Sequence, residues 1–175
     1  MSRTNPYKLK RRQANKTLLI FGEGLGEEMF LKYLKGLYSQ DCNVAITIRK
    51  GKGGDAKNIV VDASKILGAF DRKVVILDND KTLGEMQNAR QEAKKRKIEL
   101  IENTPCLEFL LLSILGQCPK TNSDDCKREF ESKYISKQKR CELGEYQKLF
   151  SKDVLENKRG GIATLNKIIT IMEGK

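Results

Sequence analysis

Glu23, Asp78 and Asp80 are the residues whose types and placement could do chemistry. Glu23 follows the apolar run Leu18 to Phe21 in TLLIFGEGLGEEMFLKYL, and the two aspartates follow KVVIL in VVILDND. Converging carboxylates, in a chain with no histidine, describe a hard-cation site for Mg²⁺ or Mn²⁺, since such ions take oxygen ligands. Asp78 and Asp80 lie two apart, so in an extended segment they point the same way. The glycine-rich turn after Phe21 has the form of a phosphate cradle. Yet Glu23, Glu27 and Glu28 stand where backbone N–H groups and a helix N-terminus would draw an anion. A divalent ion on Glu23, Asp78 and Asp80 resolves that conflict by receiving the phosphate itself. Taken singly, Glu23 and Glu27 would only cap a helix, and DND would only make a turn.

The formal charge of +11, from 34 basic and 23 acidic residues, favours a polyanionic partner, with nucleic acid the first candidate. The surplus is clustered. Arg3, Lys8, Lys10, Arg11, Arg12 and Lys16 open the chain with no acid among them, KKRK covers Lys94 to Lys97, and Lys133, Lys137, Lys139 and Arg140 form a third group. In RKGKGG the glycines admit close backbone approach to a phosphate while Arg49, Lys50 and Lys52 supply charge. Any one cluster alone would also serve as a solvated face.

The cysteines Cys42, Cys106, Cys118, Cys126 and Cys141 are odd in number and widely spaced, so reduced thiols are expected and a closed zinc site is not. The opening MSRTNPYKLKRRQANK lacks the apolar stretch of a signal peptide, and no apolar run reaches the about 18 residues of a membrane span. A cytoplasmic protein without a membrane segment is the expectation.

The elements that must position these acids alternate. A strand at Leu18–Phe21 leads to a helix over 27–38, NVAITIR to a helical repeat carrying Ile59, Val60, Ala63, Ile66, Leu67 and Phe70, and KVVIL to a charged helix from Leu83 to Arg96. A short strand IELI follows at 98–101, and CLEFLLLSIL reads as a buried helix. Helical patterns near 124–134, 143–156 and 160–173 complete the chain. This order predicts an α/β domain with a mostly parallel four-stranded sheet flanked by helices. Residues 1–15 read as a flexible basic arm, 16–116 as the α/β domain, and 117–175 as a helical extension packed on it. In such a sheet ligands bind beyond the C-terminal strand ends, where Glu23 and the aspartates fall.

With the E-G turn after the first strand and D-x-D after the third, the sequence resembles a TOPRIM domain, the catalytic unit of topoisomerases, DnaG-type primases and the overcoming-lysogenization-defect nucleases. More narrowly, FGEGLGEEMFLKYL, VVILDND and ENTPCLEFLLLSI together resemble the RloB family of small TOPRIM-like proteins, met in bacterial defence and restriction loci. The resemblance covers about residues 16–116, with EYQKLF a weaker echo. It implies that Glu23 is the TOPRIM glutamate, Asp78 and Asp80 the D-x-D ligands, and Glu27 the second acid of E-G-x-x-E. It also implies that Glu108 of PCLEF joins the site or its surroundings, that Lys148 matches a C-terminal lysine, and that an ATPase is encoded nearby as partner. Leu107 replaces the family's usual aromatic, and Ser113 stands where a histidine often follows.

The expectation is therefore a metal-dependent phosphodiesterase acting on DNA or RNA. Glu23 or Glu27 would act as general base, and Lys50, Lys52 or Lys148 would offset the developing charge. The alternative is a nonenzymatic nucleic-acid-binding or assembly subunit with a degenerate site. A dinucleotide-binding oxidoreductase fits less well, because GEGLGE has Glu27 in place of the last glycine and the second strand ends in Arg49 and Lys50 rather than an acid.

Overall fold

A computed structural model describes residues 16–40 and 42–175; the basic arm at 1–15 lies outside the described residues. Apolar runs form β1 (Lys16–Gly22), β2 (Val44–Lys50), β3 (Arg72–Asp78) and β4 (Glu99–Asn103), all parallel, in the order β2-β1-β3-β4. The three crossovers are α1 (Leu25–Tyr38), α2 (Ala56–Lys65) and α3 (Leu83–Lys95). The chain runs from β1 outward to β2, then returns across β1 to β3. The sheet thus reverses direction between β1 and β3, and at such a switch point the loops diverge and leave a crevice above the strand ends. Glu23 and Asp78 emerge there. The fold is α/β and Rossmann-like, as the alternation predicts, and every strand pair is parallel.

The two faces are covered unequally. Phe21, Val75 and Leu77 meet α2 and α3 through Ala56, Ile59, Val60, Ala63, Met86, Ala89 and Ala93. Leu18, Ile20, Ile46, Ile48, Val74, Ile76 and Ile101 turn the other way, onto α1 and the helices after β4. Those helices are α4 (Leu107–Ile114), α5 (Ser123–Lys133), α6 (Leu143–Leu149), α7 (Lys152–Arg159) and α8 (Ala163–Met172), with a short helical turn at Lys137–Lys139. Residues after 116 share their core with the sheet, since Leu165, Ile168 and Ile169 lie in the same cluster as Ile20 and Phe30. Among the described residues no helix is long and apolar enough to cross a membrane.

Two helical patterns end sooner than their periodicity suggests. α2 stops at Lys65 rather than reaching Phe70. Gly68 sits at φ +142° and the Phe70 ring folds back against it, while Leu67 is 94% exposed. The chain turns extended at Ile66, and the left-handed glycine two residues on keeps the helix from resuming. The pattern at 143–156 is two helices, because Phe150 leaves helical geometry and Ser151 caps α7 by accepting from Val154 N–H.

That break has a packing reason. Phe150 is fully buried, its ring meets Phe30 edge-on at 5.5 Å, and its carbonyl accepts from Tyr33 Oη at 2.5 Å. One residue therefore fastens the C-terminal helices to α1, the helix that carries Glu27. Phe150→Ala should lower stability by about 3–5 kcal/mol, the cost of emptying a buried aromatic site. Urea denaturation measures it; a loss under about 1 kcal/mol would show the joint to be dispensable.

Candidate functional site: a carboxylate cluster at the strand ends

β1 ends in Gly22, where an added Cβ would fall 2.6 Å from Glu27 Cβ, so only glycine lets the first turn of α1 fold down over the strand. The turn closes as a capping box in which Glu27 Oε2 accepts from Gly24 N–H at 3.0 Å. The β2–α2 loop buttresses it from the side, with Gly51 N–H on Gly22 O at 2.9 Å and Gly53 N–H on Glu23 O at 3.2 Å. A Cβ at Gly51 would stand 3.2 Å from Glu23 O, so the close approach again needs glycine. This brings the RKGKGG backbone beside the Glu23 turn, with Arg49, Lys50 and Lys52 on exposed parts of the same segment.

Glu23 reaches across to β3, where its Oε2 accepts from Asp78 N–H at 3.3 Å. Asp78 in turn accepts from Leu107 N–H at 2.8 Å, the first amide of α4, and Asn103 Nδ2 stands 3.5 Å from the same oxygen. Glu108, next in α4, is buried with Oε1 3.5 Å from Arg140 and Oε2 without a partner. Glu23, Glu27, Asp78 and Glu108 are thus four carboxylates in one another's field, drawn from β1, α1, β3 and α4. Burial, then repulsion from Glu27, Glu108 and Glu23, pushes Asp78 up to about 8. Burial likewise raises Glu27, with Glu108 and Glu23 adding to it.

The D-x-D aspartates part company. β3 ends at Asp78 and Asn79 N–H bonds Asn103 O at 2.8 Å, so strand alternation does not extend to Asp80. Asp80 Oδ2 instead accepts from Ser123 Oγ at 2.9 Å and Lys127 Nζ at 3.0 Å, both on α5. Against the burial that would raise it, these bonds and the charges of Lys127 and Lys81 hold Asp80 low. Lys81 Nζ lies 3.0 Å from Glu23 Oε1 and 3.9 Å from Asp80 Oδ1. Lys148 takes no part in these pairs; its side chain, 70% exposed on α6, bonds Glu145 at 2.5 Å. Arg11 and Arg12 lie outside the described residues.

The cations at this edge are therefore Lys81, Lys127 and Arg140, none of them among the residues that the motifs place at the site. Lys81 had a signal, its adjacency to DND. Arg140 stands in the third basic cluster, but only the packing of the C-terminal helices brings it and Lys127 to the acids. Among the described residues no group of three or more cysteine or carboxylate side chains stands, as the side chains lie, so as to hold a metal ion. The reason is visible: Glu23 and Asp80 are taken up by lysines, and Asp78 Oδ1 by an amide. The donors nonetheless suit a hard cation in kind, being all oxygen, with Glu108 Oε2 buried and unpartnered.

The raised Asp78 sets a pH dependence. With a folded value of about 8 against an ordinary 3.8, the folded chain keeps a proton that the unfolded chain has released. Stability then falls as pH rises between those values. No histidine titrates in that window. In EDTA the melting temperature should fall from about pH 5 to about pH 8, and Asp78→Asn, which keeps an acceptor for Leu107 N–H, should flatten the slope. At the upper end the variant should melt higher by about 2–4 °C per kcal/mol of repulsion removed. Calorimetry across the range checks this; equal slopes would clear Asp78 of responsibility.

Neither the curated proteins nor the solved structures offered a match to this chain. A family model described as RloB-like protein matches residues 18–168, from the first strand through most of α8. The match takes in the E-G turn, the D-x-D segment and the PCLEF segment, and the chain belongs to the RloB-like family.

Proposed function

We propose that this chain is a divalent-metal-dependent nuclease that hydrolyses phosphodiester bonds in DNA or RNA. One observation carries the reading: four carboxylates converge at the switch point of a parallel sheet, and one of their buried oxygens, Glu108 Oε2, has no partner. Burying mutually repelling acids costs stability, which is commonly retained where a site needs it. Glu23 and Asp78, with Asp80 released by Lys81, would hold Mg²⁺ or Mn²⁺. Such an ion supplies charge against the phosphate oxygens and a more acidic water.

The chain's own groups do the rest. Glu27, raised above the ordinary carboxylate range by its burial, suits a proton acceptor. Arg49, Lys50 and Lys52, on the segment that buttresses the Glu23 turn, are placed to take backbone phosphates, and the net charge of +11 draws the strand in. The resemblance to TOPRIM-like proteins of defence and restriction loci supports a role in antiphage defence beside an ATPase partner, in the cytoplasm.

Purified protein should cut DNA or structured RNA with Mn²⁺ or Mg²⁺ and not with EDTA, and Glu23→Gln should lower the rate by about two orders of magnitude or more. Undiminished cutting by the variant would place the activity elsewhere. An inert wild type that still binds nucleic acid would favour the nonenzymatic binding subunit.

A further inference from the structure

Lys81 Nζ sits between Glu23 Oε1 at 3.0 Å and Asp80 Oδ1 at 3.9 Å, with its side chain only 17% exposed. An ammonium there does what a bound cation would do for the same two carboxylates. Beside it opens a polar groove of about 440 Å³, walled by Asn79 to Lys81 on one side and Thr121 to Asp124 on the other. That volume is in the range of small-ligand sites and is enough for a nucleotide. With Asp80 and Asp124 in its walls the groove repels a bare phosphate, and Lys81 is its lining cation.

We propose that Lys81 is an exchangeable counter-ion: it neutralises Glu23 and Asp80 in the metal-free chain, and turns into this groove to hold a phosphate of the bound strand once a divalent ion takes those carboxylates. The inference rests on the metal-dependent reading above, and adds to it a residue that couples ion binding to strand binding. The chemistry favours it on three counts. A divalent ion and an ammonium repel one another, so they do not share one carboxylate oxygen at contact distance. Lysine is a compact point charge on a flexible four-carbon stem, able to leave one carboxylate for a neighbouring anion without backbone movement. Lys127 grips the other Asp80 oxygen at 3.0 Å, so Asp80 keeps a partner while Lys81 moves. The ion thereby exchanges a self-paired edge for one that presents a free ammonium to the strand.

The test compares wild type, Lys81→Met and Lys81→Arg by calorimetric titration with Mn²⁺ alone, and by fluorescence anisotropy with single-stranded DNA and RNA oligonucleotides in Ca²⁺. Freed of a competitor, Lys81→Met should bind Mn²⁺ about five- to tenfold more tightly. Its oligonucleotide affinity should fall, with a salt slope shallower by about one phosphate contact. Lys81→Arg should restore the strand affinity and the slope. Mn²⁺ affinity unchanged or weakened in Lys81→Met, or strand binding unchanged, would overturn the proposal. Should Lys81→Met not fold, the lysine side-chain NMR signals of wild type decide: the Lys81 Cε and Nζ resonances should move on addition of Mg²⁺, and fixed resonances would overturn it. A wild type that shows the Lys81-dependent ion affinity yet cuts nothing refutes the nuclease reading and leaves the exchange standing. One that cuts while Lys81→Met gains no ion affinity does the reverse.

Discussion

Asp78 ends β3 with its carboxylate turned onto the first amide of α4, and the arrangement of the whole upper edge follows from that contact. It fixes where α4 begins, and so puts Glu108 beside Asp78 and Glu27. Each added carboxylate raises the cost of ionising the others, since like charges in a partly desolvated crevice are poorly screened. The chain answers with cations from three directions: Lys81 from the turn itself, Lys127 from α5 and Arg140 from beyond the short helical turn. The C-terminal helices are therefore part of the site's electrostatics as well as of the core.

Glycine at two positions makes the approach of β1 and α1 possible. Gly22 leaves room for Glu27 Cβ, and Gly51 lets the neighbouring loop lie against the Glu23 carbonyl. Both glycines serve distance rather than an unusual backbone angle. Gly53 and Gly54, at φ +75° and +102°, then bend the loop toward Asp55, which caps α2 by accepting from Lys57 and Asn58 N–H. The basic segment is thus shaped at both ends by ordinary hydrogen bonds.

Much of the fold was legible because its signals are local. Buried parallel strands read as short apolar runs, and all four lie within two residues of where those runs fall. The acids at the strand ends followed from the rule that parallel sheets work at their C-terminal edge. What escaped was set by tertiary contacts or by single backbone angles. The extended backbone at Ile66 and left-handed Gly68 leave α2 short of its periodicity, and Phe150 divided a helix to reach Tyr33 and Phe30. Asp80 follows α5, some forty residues distant, rather than the alternation of β3, and Lys148 faces Glu145 where Lys127 and Arg140 meet the acids. No spacing in the sequence encodes which lysine of 34 basic residues will stand beside a given carboxylate.

The unequal cover on the two sheet faces anchors the acids and the basic loop differently. Glu27 and Glu108 ride on α1 and α4, which are anchored in the larger core among Phe30, Leu111, Tyr146 and Phe150. The basic loop leads instead into α2, whose buried residues are Ala56, Ile59, Val60 and Ala63 on the thinner side. Fewer buried contacts mean a lower free energy of local opening. The basic loop can thus flex while the acids keep their spacing, so mobility and fixed geometry are drawn from opposite sides of one sheet.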